Sequence, residues 1–327
     1  MRRSFFLLIL LVNIQGCTPD NSNQSPYPYI EAHGYVDTMI SGPVVSWLSP
    51  YKVIYGVNST GKKNSYSGVD DLNLETSKQV NILDITSKKT LLYRKGQLIK
   101  FENDNILIRL AMAEYDRETS RQTSKPKLLY GKLGSETQEQ YDQLEERYRG
   151  SSPRVLEKCP SDYAEGEPYI ALRLKPEHGC LRLPSLYGKD RRWIYFQTNG
   201  KAIELTYSPD YFFPNIEWIS WLNAYVLDGK QNTFPGATTK IKLLFTDGKF
   251  DLLNVNLPVY HAKPTKVGII GAVNNKGSSD GLRLFHNGSV HQLTKGTVRR
   301  TEVSPDGCKV AYVTNNKLRV IEVCSIF

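Results

Sequence analysis

The side chains of this 327-residue chain that could do chemistry are few and scattered. Its histidines are His33, His178, His261, His286 and His291. His286 and His291 flank Asn287-Gly288 and would share a strand face. Zinc takes three or four protein ligands, and this pair supplies two, so they read as surface histidines beside a turn. The cysteines show no Cys-x-x-Cys spacing, which argues against metal or redox catalysis. There is no His-Glu-x-x-His run, no Gly-x-Ser-x-Gly elbow and no glycine loop to cradle phosphate. Carboxylates suited to general acid–base work are Asp70, Asp71, Asp210 and Glu217, but sequence does not rank them. Asp70-Asp71 follows a Gly/Ser/Lys loop and reads as a solvated turn. No catalytic, cofactor-binding or metal-ligating residue is assigned.

Composition limits the partners. Hydrophobic residues make up 40% and charged residues 23%, as expected of a globular chain. The net charge of +9 is modest and spread along the sequence. In an exported chain it points away from nucleic acid and is compatible with anionic lipid, lipopolysaccharide or an acidic partner.

The N-terminus supplies the address. Met1-Arg2-Arg3 precedes the apolar run Phe5-Phe6-Leu7-Leu8-Ile9-Leu10-Leu11-Val12, then Ile14-Gln15-Gly16-Cys17. This is the anatomy of a secretory signal, and the run is about half of the ~20 residues a spanning helix needs. Its end resembles the lipobox of bacterial lipoproteins: an aliphatic residue three before the cysteine, glycine before it, then Cys17. The resemblance implies that residues 1–16 are removed and that Cys17 carries lipid. Thr18, where such proteins carry Asp for inner-membrane retention, implies the periplasmic face of the outer membrane. Residues 17–28 are polar and turn-forming and read as a tether.

Setting Cys17 aside leaves Cys159, Cys180, Cys308 and Cys324. An oxidising compartment allows two disulfides in three connectivities. Proximity favours Cys159–Cys180 and Cys308–Cys324. For the second, strands Lys309–Thr314 and Leu318–Val323 joined by a three-residue loop Asn315-Asn316-Lys317 would set the cysteines opposite each other.

From residue 29 to 327 short apolar runs alternate with turn signals, and 20 Tyr with 11 Phe suit strands. The expectation is all-β. Val303-Ser304-Pro305-Asp306-Gly307-Cys308-Lys309-Val310-Ala311-Tyr312 parallels Leu48-Ser49-Pro50-Tyr51-Lys52-Val53-Ile54-Tyr55. Ser46-Trp47-Leu48 also recurs as Ser220-Trp221-Leu222. The turn Ser304, Pro305, Asp306, Gly307 resembles the repeat of TolB-type, WD-like β-propellers, which implies that fold and binding partners around its ring. Asn199-Gly200, Asp247-Gly248 and Asn287-Gly288, 48 and 40 residues apart, predict type I′ hairpins at blade spacing. Strand centres near Val53, Leu107, Leu172, Leu222, Gly268 and Val310 predict a single β-propeller of six blades, with seven as the alternative. Tyr29–Met39 would add a strand to the last blade and close the ring.

The region 116–164 reads as an insertion. Asp116–Lys127 is a polar loop, and Ser135 with Gln138 opens a helical segment running to Arg149. The aromatic stretch Tyr207–Pro214 reads as core. The resulting expectation is a lipid-anchored protein-interaction module or accessory subunit of an envelope assembly, needing no cofactor. A propeller hydrolase or lyase acting on envelope glycan or saccharide is the alternative, and a small-molecule or glycan ligand in the channel is compatible with either. The enzyme would gather three or more carboxylates with Arg or His at the channel mouth.

Overall fold

The computed structural model describes residues 25–38, 42–59, 74–102, 104–112, 119, 124, 126–139, 170–174, 176–183, 193–205, 215–228, 239–255, 260–273 and 280–327. Cys17, Asp70, Asp71, Cys159, Asp210 and the stretch 207–214 lie outside them. The described residues form six antiparallel sheets arranged as a six-bladed β-propeller, with one short helix, Leu74–Ser77. From the axis outwards, blade 1 is Val45–Ser49, Lys52–Asn58, Lys78–Asp84 and Lys89–Lys95. Blade 2 is Gln97–Glu102, Asn105–Ala111, Lys127–Lys132 and Thr137–Glu139. Blade 3 is Ile170–Arg173, Cys180–Leu183, Trp193–Phe196 and Ala202–Leu205. Blade 4 is Asn215–Ile219, Ala224–Asp228, Thr239–Phe245 and Phe250–Val255. Blade 5 is Tyr260–Thr265, Gly268–Val273, Gly281–His286 and Ser289–Lys295. Blade 6 is Val298–Val303, Lys309–Thr314 and Lys317–Glu322, with Ile30–Glu31 from the start of the chain as its outer strand.

The ring closes as the sequence predicts. Ile30 and Glu31 pair with Val320 and Arg319. The Ala32 amide donates to the Leu318 carbonyl and the Val36 amide to the Asn316 carbonyl. The same segment then crosses to blade 1, where Tyr35–Val36 pairs with Val57–Asn58 and the Asp37 amide donates to the Gly56 carbonyl. Asp37 is buried, so its charge must be satisfied locally. Lys78 Nζ lies 3.0 Å from one carboxylate oxygen and Gln97 Nε2 donates to the other at 3.0 Å, which ties in blade 2.

The core is a set of wedges between blades, because each sheet has an apolar side chain on both faces. Ala32, Val36, Tyr55, Val57 and Leu83 meet Ala311, Val313, Leu318 and Val320 between blades 1 and 6. Similar clusters join blades 1 and 2, 3 and 4, 4 and 5, and 5 and 6. Tyr55 and Tyr312, the matching tyrosines of the two Ser-Pro repeats, are both fully buried on second strands.

Several expectations change. The centre near Leu222 falls in a 3-10 turn, Ser220–Leu222, and the strand follows at Ala224–Asp228. Ser46-Trp47-Leu48 lies within a first strand whereas Ser220-Trp221-Leu222 follows one, so that pair is no structural repeat. The insertion is interrupted, because Lys127–Lys132 and Thr137–Glu139 are the outer strands of blade 2. Ser135 caps no helix there. Its amide donates to the Lys132 carbonyl in a turn, and the Glu136 carboxylate is taken by the Tyr93 hydroxyl and the Gly134 amide. Residues 140–149 lie outside the described ones. Of the three predicted type I′ turns only Asn287-Gly288 has two positive φ angles, 47° and 77°. At Gly200 and Gly248 the glycine alone is left-handed and its amide donates to the carbonyl three residues back, as in three-residue loops.

The predicted disulfide Cys308–Cys324 is present, with Cα atoms 5.0 Å apart, although the predicted loop is wrong. Asn315 and Asn316, at φ 50° and 59°, make a two-residue turn, which pairs Lys309 with Glu322. Cys324 would then miss Cys308 by one position. The 3-10 turn Val323–Ser325 bends it back, with both the Val323 and Cys324 amides donating to the Cys308 carbonyl. Cys180 is disulfide-bonded as well.

The bond spans a separation of 16 residues. Replacing Cys308 and Cys324 together by Ser is expected to lower stability by about 3 kcal/mol, the chain-entropy value for a loop of that size. Denaturant unfolding measures this, and the loss should fall to near zero when both proteins are compared under full reduction.

Candidate functional site

The first strands of the blades face the axis, and four of them carry an irregularity in pairing. The shifts fall between Trp47 and Ser49, Leu98 and Lys100, Tyr260 and Lys263, and Val298 and Arg300. An extra residue in a strand turns the next side chain off the regular alternation. In blades 5 and 6 this accompanies Lys263 and Arg300, which meet carboxylates from neighbouring blades.

Lys263 is the centre of the cluster. Its Nζ lies 2.7 Å from Glu217 Oε2 of blade 4 and 2.6 Å from Glu302 Oε2 of blade 6. Arg300 Nε lies 2.5 Å from the other oxygen of Glu302. The Trp47 indole of blade 1 donates to the Glu302 carbonyl at 3.1 Å. Three consecutive blades thus meet through one alternating chain of charge, and the Trp47 hydrogen bond ties in a fourth. Lys263 and Glu302 are enclosed, each with a side chain 10% exposed, while Glu217 and Arg300 are 41% and 44% exposed.

The enclosure pushes the two carboxyls apart. Burial and then the Glu302 charge raise Glu217 above the ordinary glutamate range, against the opposing pull of Lys263. Burial alone would raise Glu302 too, but Lys263 and Arg300 outweigh it and hold it below that range. Burial works against the Lys263 ammonium, and the two carboxylates more than restore it. An ionised Glu302 beside a Glu217 that takes protons more readily is an arrangement able to bind a cation or hydroxyl, or to exchange a proton.

The turns that follow these strands brace the cluster from one end of the ring. Within Ser304–Gly307, the Ser304 hydroxyl donates to Asp306 Oδ1 at 2.5 Å, and the Cys308 amide donates to the same oxygen at 3.1 Å. Lys309 Nζ lies 3.0 Å from Asp306 Oδ2 and stands over the Tyr51 ring of blade 1. Ser220 of blade 4 donates to the Pro305 carbonyl and the Lys266 amide of blade 5 to the Gly307 carbonyl. Gly307, at φ 75°, lies so close to the Trp221 ring that a Cβ would stand 2.8 Å from its atoms.

Of the carboxylates singled out from sequence, Glu217 is in this cluster, and Asp70, Asp71 and Asp210 lie outside the described residues. Lys263, Arg300 and Glu302 were missed. Their signal is a charge two or three residues ahead of a first turn, within an otherwise strand-forming run. His286 and His291 are half-buried rather than surface groups, as is His178, while His33 is exposed. His286 and His291 lie diagonally across their hairpin with ring centroids 6.3 Å apart, and both contact the Phe327 ring. The His286 Nδ1 donates to the Val267 carbonyl. His178 Nδ1 is 2.8 Å from the Tyr225 hydroxyl and its ring lies on Trp218. Among the described residues no three His, Cys, Asp or Glu side chains gather as a metal site.

No protein-family model matches the sequence, and no curated protein matches it. Among solved structures the chain is similar to one in a crystal structure of the mitotic checkpoint complex, with 11% identity, TM-score 0.42 and coverage of 98% of this chain and 99% of that one. It is also similar to a streptogramin B lyase structure, with 12% identity, TM-score 0.40 and coverage of 90% and 97%.

The two carboxylates should separate in stability measurements. Glu302, held low, contributes stability that is present above the ordinary glutamate range and lost as pH falls through its depressed folded value. Glu217, held high, contributes stability that is lost as pH rises through its raised folded value. At neutral pH Glu302→Gln should cost about 3 kcal/mol, because it leaves Lys263 and Arg300 short of a buried partner. Glu217→Gln should cost less than about 1 kcal/mol, since that side chain is only partly enclosed, at 41% exposed, and a glutamine oxygen can still accept from Lys263. Urea unfolding across pH checks both the ranking and the opposite slopes.

Proposed function

We propose that the protein is an exported lipoprotein whose propeller is a protein-interaction module, an accessory subunit of an envelope assembly held through lipid on Cys17 at the periplasmic face of the outer membrane. The observation that carries the binding reading is an asymmetry between the two ends of the ring. In every blade the second strand runs the same way. The connections to the third strand, over 58–78, 111–127, 183–193, 228–239 and 273–281, therefore all leave from one end. The long connections between blades, over 139–170, 205–215 and 255–260, leave from that same end. The opposite end carries mainly short turns bonded to one another. A rigid ring with its variable connections on one side is the layout of a recognition surface. The strands that flank the interrupted insertion, ending at Ala111 and Glu139, both end on that side.

In-cell crosslinking of the tagged protein, followed by purification and mass spectrometry, tests this reading. A stoichiometric envelope protein joined through the connections at 111–127 or 139–170 is expected. Absence of any enriched protein at native expression would refute it. Cys17→Ala should abolish incorporation of labelled palmitate into the chain, and unchanged labelling would remove the lipid on Cys17 from the reading.

One observation favours a second reading, a hydrolase or lyase acting on envelope glycan or saccharide. It is the convergence of Glu217 and Glu302 on Lys263, with Arg300 on Glu302 and Glu217 41% exposed. Were the pair catalytic, Glu217→Gln would lower glycan turnover at least about a hundredfold while leaving the fold intact. Unchanged turnover in that variant would end the reading.

A further inference from the structure

We infer that the outer rim of blades 5, 6 and 1 is a membrane-contacting surface that seats against anionic lipid headgroups. The inference rests on the lipid-anchored reading above and adds an orientation to it. The outer strands of these three consecutive blades carry four large apolar or aromatic side chains open to solvent. Val290 of blade 5 is 47% exposed, Tyr29 beside the outer strand of blade 6 is 36%, and Leu91 and Leu92 of blade 1 are 56% and 54%. On the outer strands of blades 2 and 3 the exposed described residues are Thr137, Gln138, Ala202 and Glu204 instead.

Charge and connectivity choose the occupant. The apolar groups on this rim are interspersed with exposed Lys89, Arg94, Lys95 and Lys295. Among the described residues of the outer strand of blade 6, the acid Glu31 is committed to Arg319 at 2.8 Å. Aliphatic and tyrosine side chains among basic ones suit the interfacial zone of an anionic bilayer. The chain also enters the fold at this rim. The Ser25 hydroxyl donates to the Leu293 carbonyl on the outer strand of blade 5, and Tyr27 packs on Phe327. Seven residues separate Cys17 from Ser25, and fully extended this stretch reaches at most about 30 Å. A lipid on Cys17 therefore keeps this rim, and not the rim of blades 2 and 3, nearest the bilayer.

The test uses the full lipid-bearing chain in phosphatidylethanolamine–phosphatidylglycerol vesicles. A polarity-sensitive fluorophore is placed in separate variants at Leu91→Cys, Val290→Cys and Ala202→Cys. Positions 91 and 290 should shift to the blue and become several-fold less accessible to an aqueous quencher than position 202. In the unlipidated Cys17→Ala chain, each of Lys89→Gln and Lys95→Gln should weaken partitioning to the same vesicles about fivefold. Equal quenching at all three positions in a chain that does float with vesicles overturns the rim inference and leaves the anchor standing. A wild-type chain that does not float overturns the anchor itself. Shielding of 91 and 290 that persists without vesicles assigns the rim to a second copy or a protein partner, and also overturns the inference.

Discussion

Everything in this fold depends on a few backbone hydrogen bonds at the joint between the first and last blades. Ile30–Glu31 completes blade 6 and Tyr35–Val36 extends blade 1, so the segment Ile30–Val36 spans the seam. Closing a loop as long as this chain costs on the order of 5 kcal/mol. The handful of hydrogen bonds across the seam, at about 1 kcal/mol each, does little more than offset that. The surplus must come from apolar burial, and Ala32 and Val36 do enter the wedge beside Leu318 and Val320. The buried Asp37, bonded to Lys78 and Gln97, fixes the register of the crossing, because a slip of one residue would strand its charge.

The axial cluster is a consequence of that closure. Glu217, Lys263, Glu302 and Trp47 come from blades 4, 5, 6 and 1, and they meet only if those blades are held in a ring. Once enclosed, burial and the charge of Glu302 leave Glu217 the more proton-hungry of the two carboxyls, although the shared ammonium of Lys263 pulls the other way. The cluster therefore joins two properties: it links three blades electrostatically and a fourth through the Trp47 hydrogen bond, and it presents one carboxylate and one guanidinium to solvent. The bonded turns at the adjacent end, from Ser220 to Gly307 and from Lys309 to Tyr51, hold the strands that carry it.

Much of the fold was legible because its signals are local. Short apolar runs, paired asparagine–glycine and aspartate–glycine turns, and the Ser-Pro turn before Lys-Val-x-Tyr depend on neighbours within about ten residues. They led to an all-β ring of six blades, to the closing strand at the N-terminus, and to the Cys308–Cys324 pairing. Errors came where local signals have two solutions. Ser135 with Gln138 can open a helix, yet Glu136 finds better partners in Tyr93 and the Gly134 amide, and the chain becomes a strand. Asn315-Asn316-Lys317 allows a two- or a three-residue loop, and the strand pairing beyond it chooses the shorter.

The sequence by itself determined the strand content, the repeat rhythm and the basic surplus, since these follow from residue type and spacing along the chain. Only the tertiary structure decided which charges meet. Glu217, Lys263 and Glu302 lie on three blades, separated by some forty residues each, and no pattern along the chain couples groups at that distance. Their partnership, the displacement of their protonation and the gathering of exposed Leu91, Leu92, Tyr29 and Val290 on one side of the ring arise from closure in space. Burial and proximity, which set both charge state and surface character, exist only once the ring is shut.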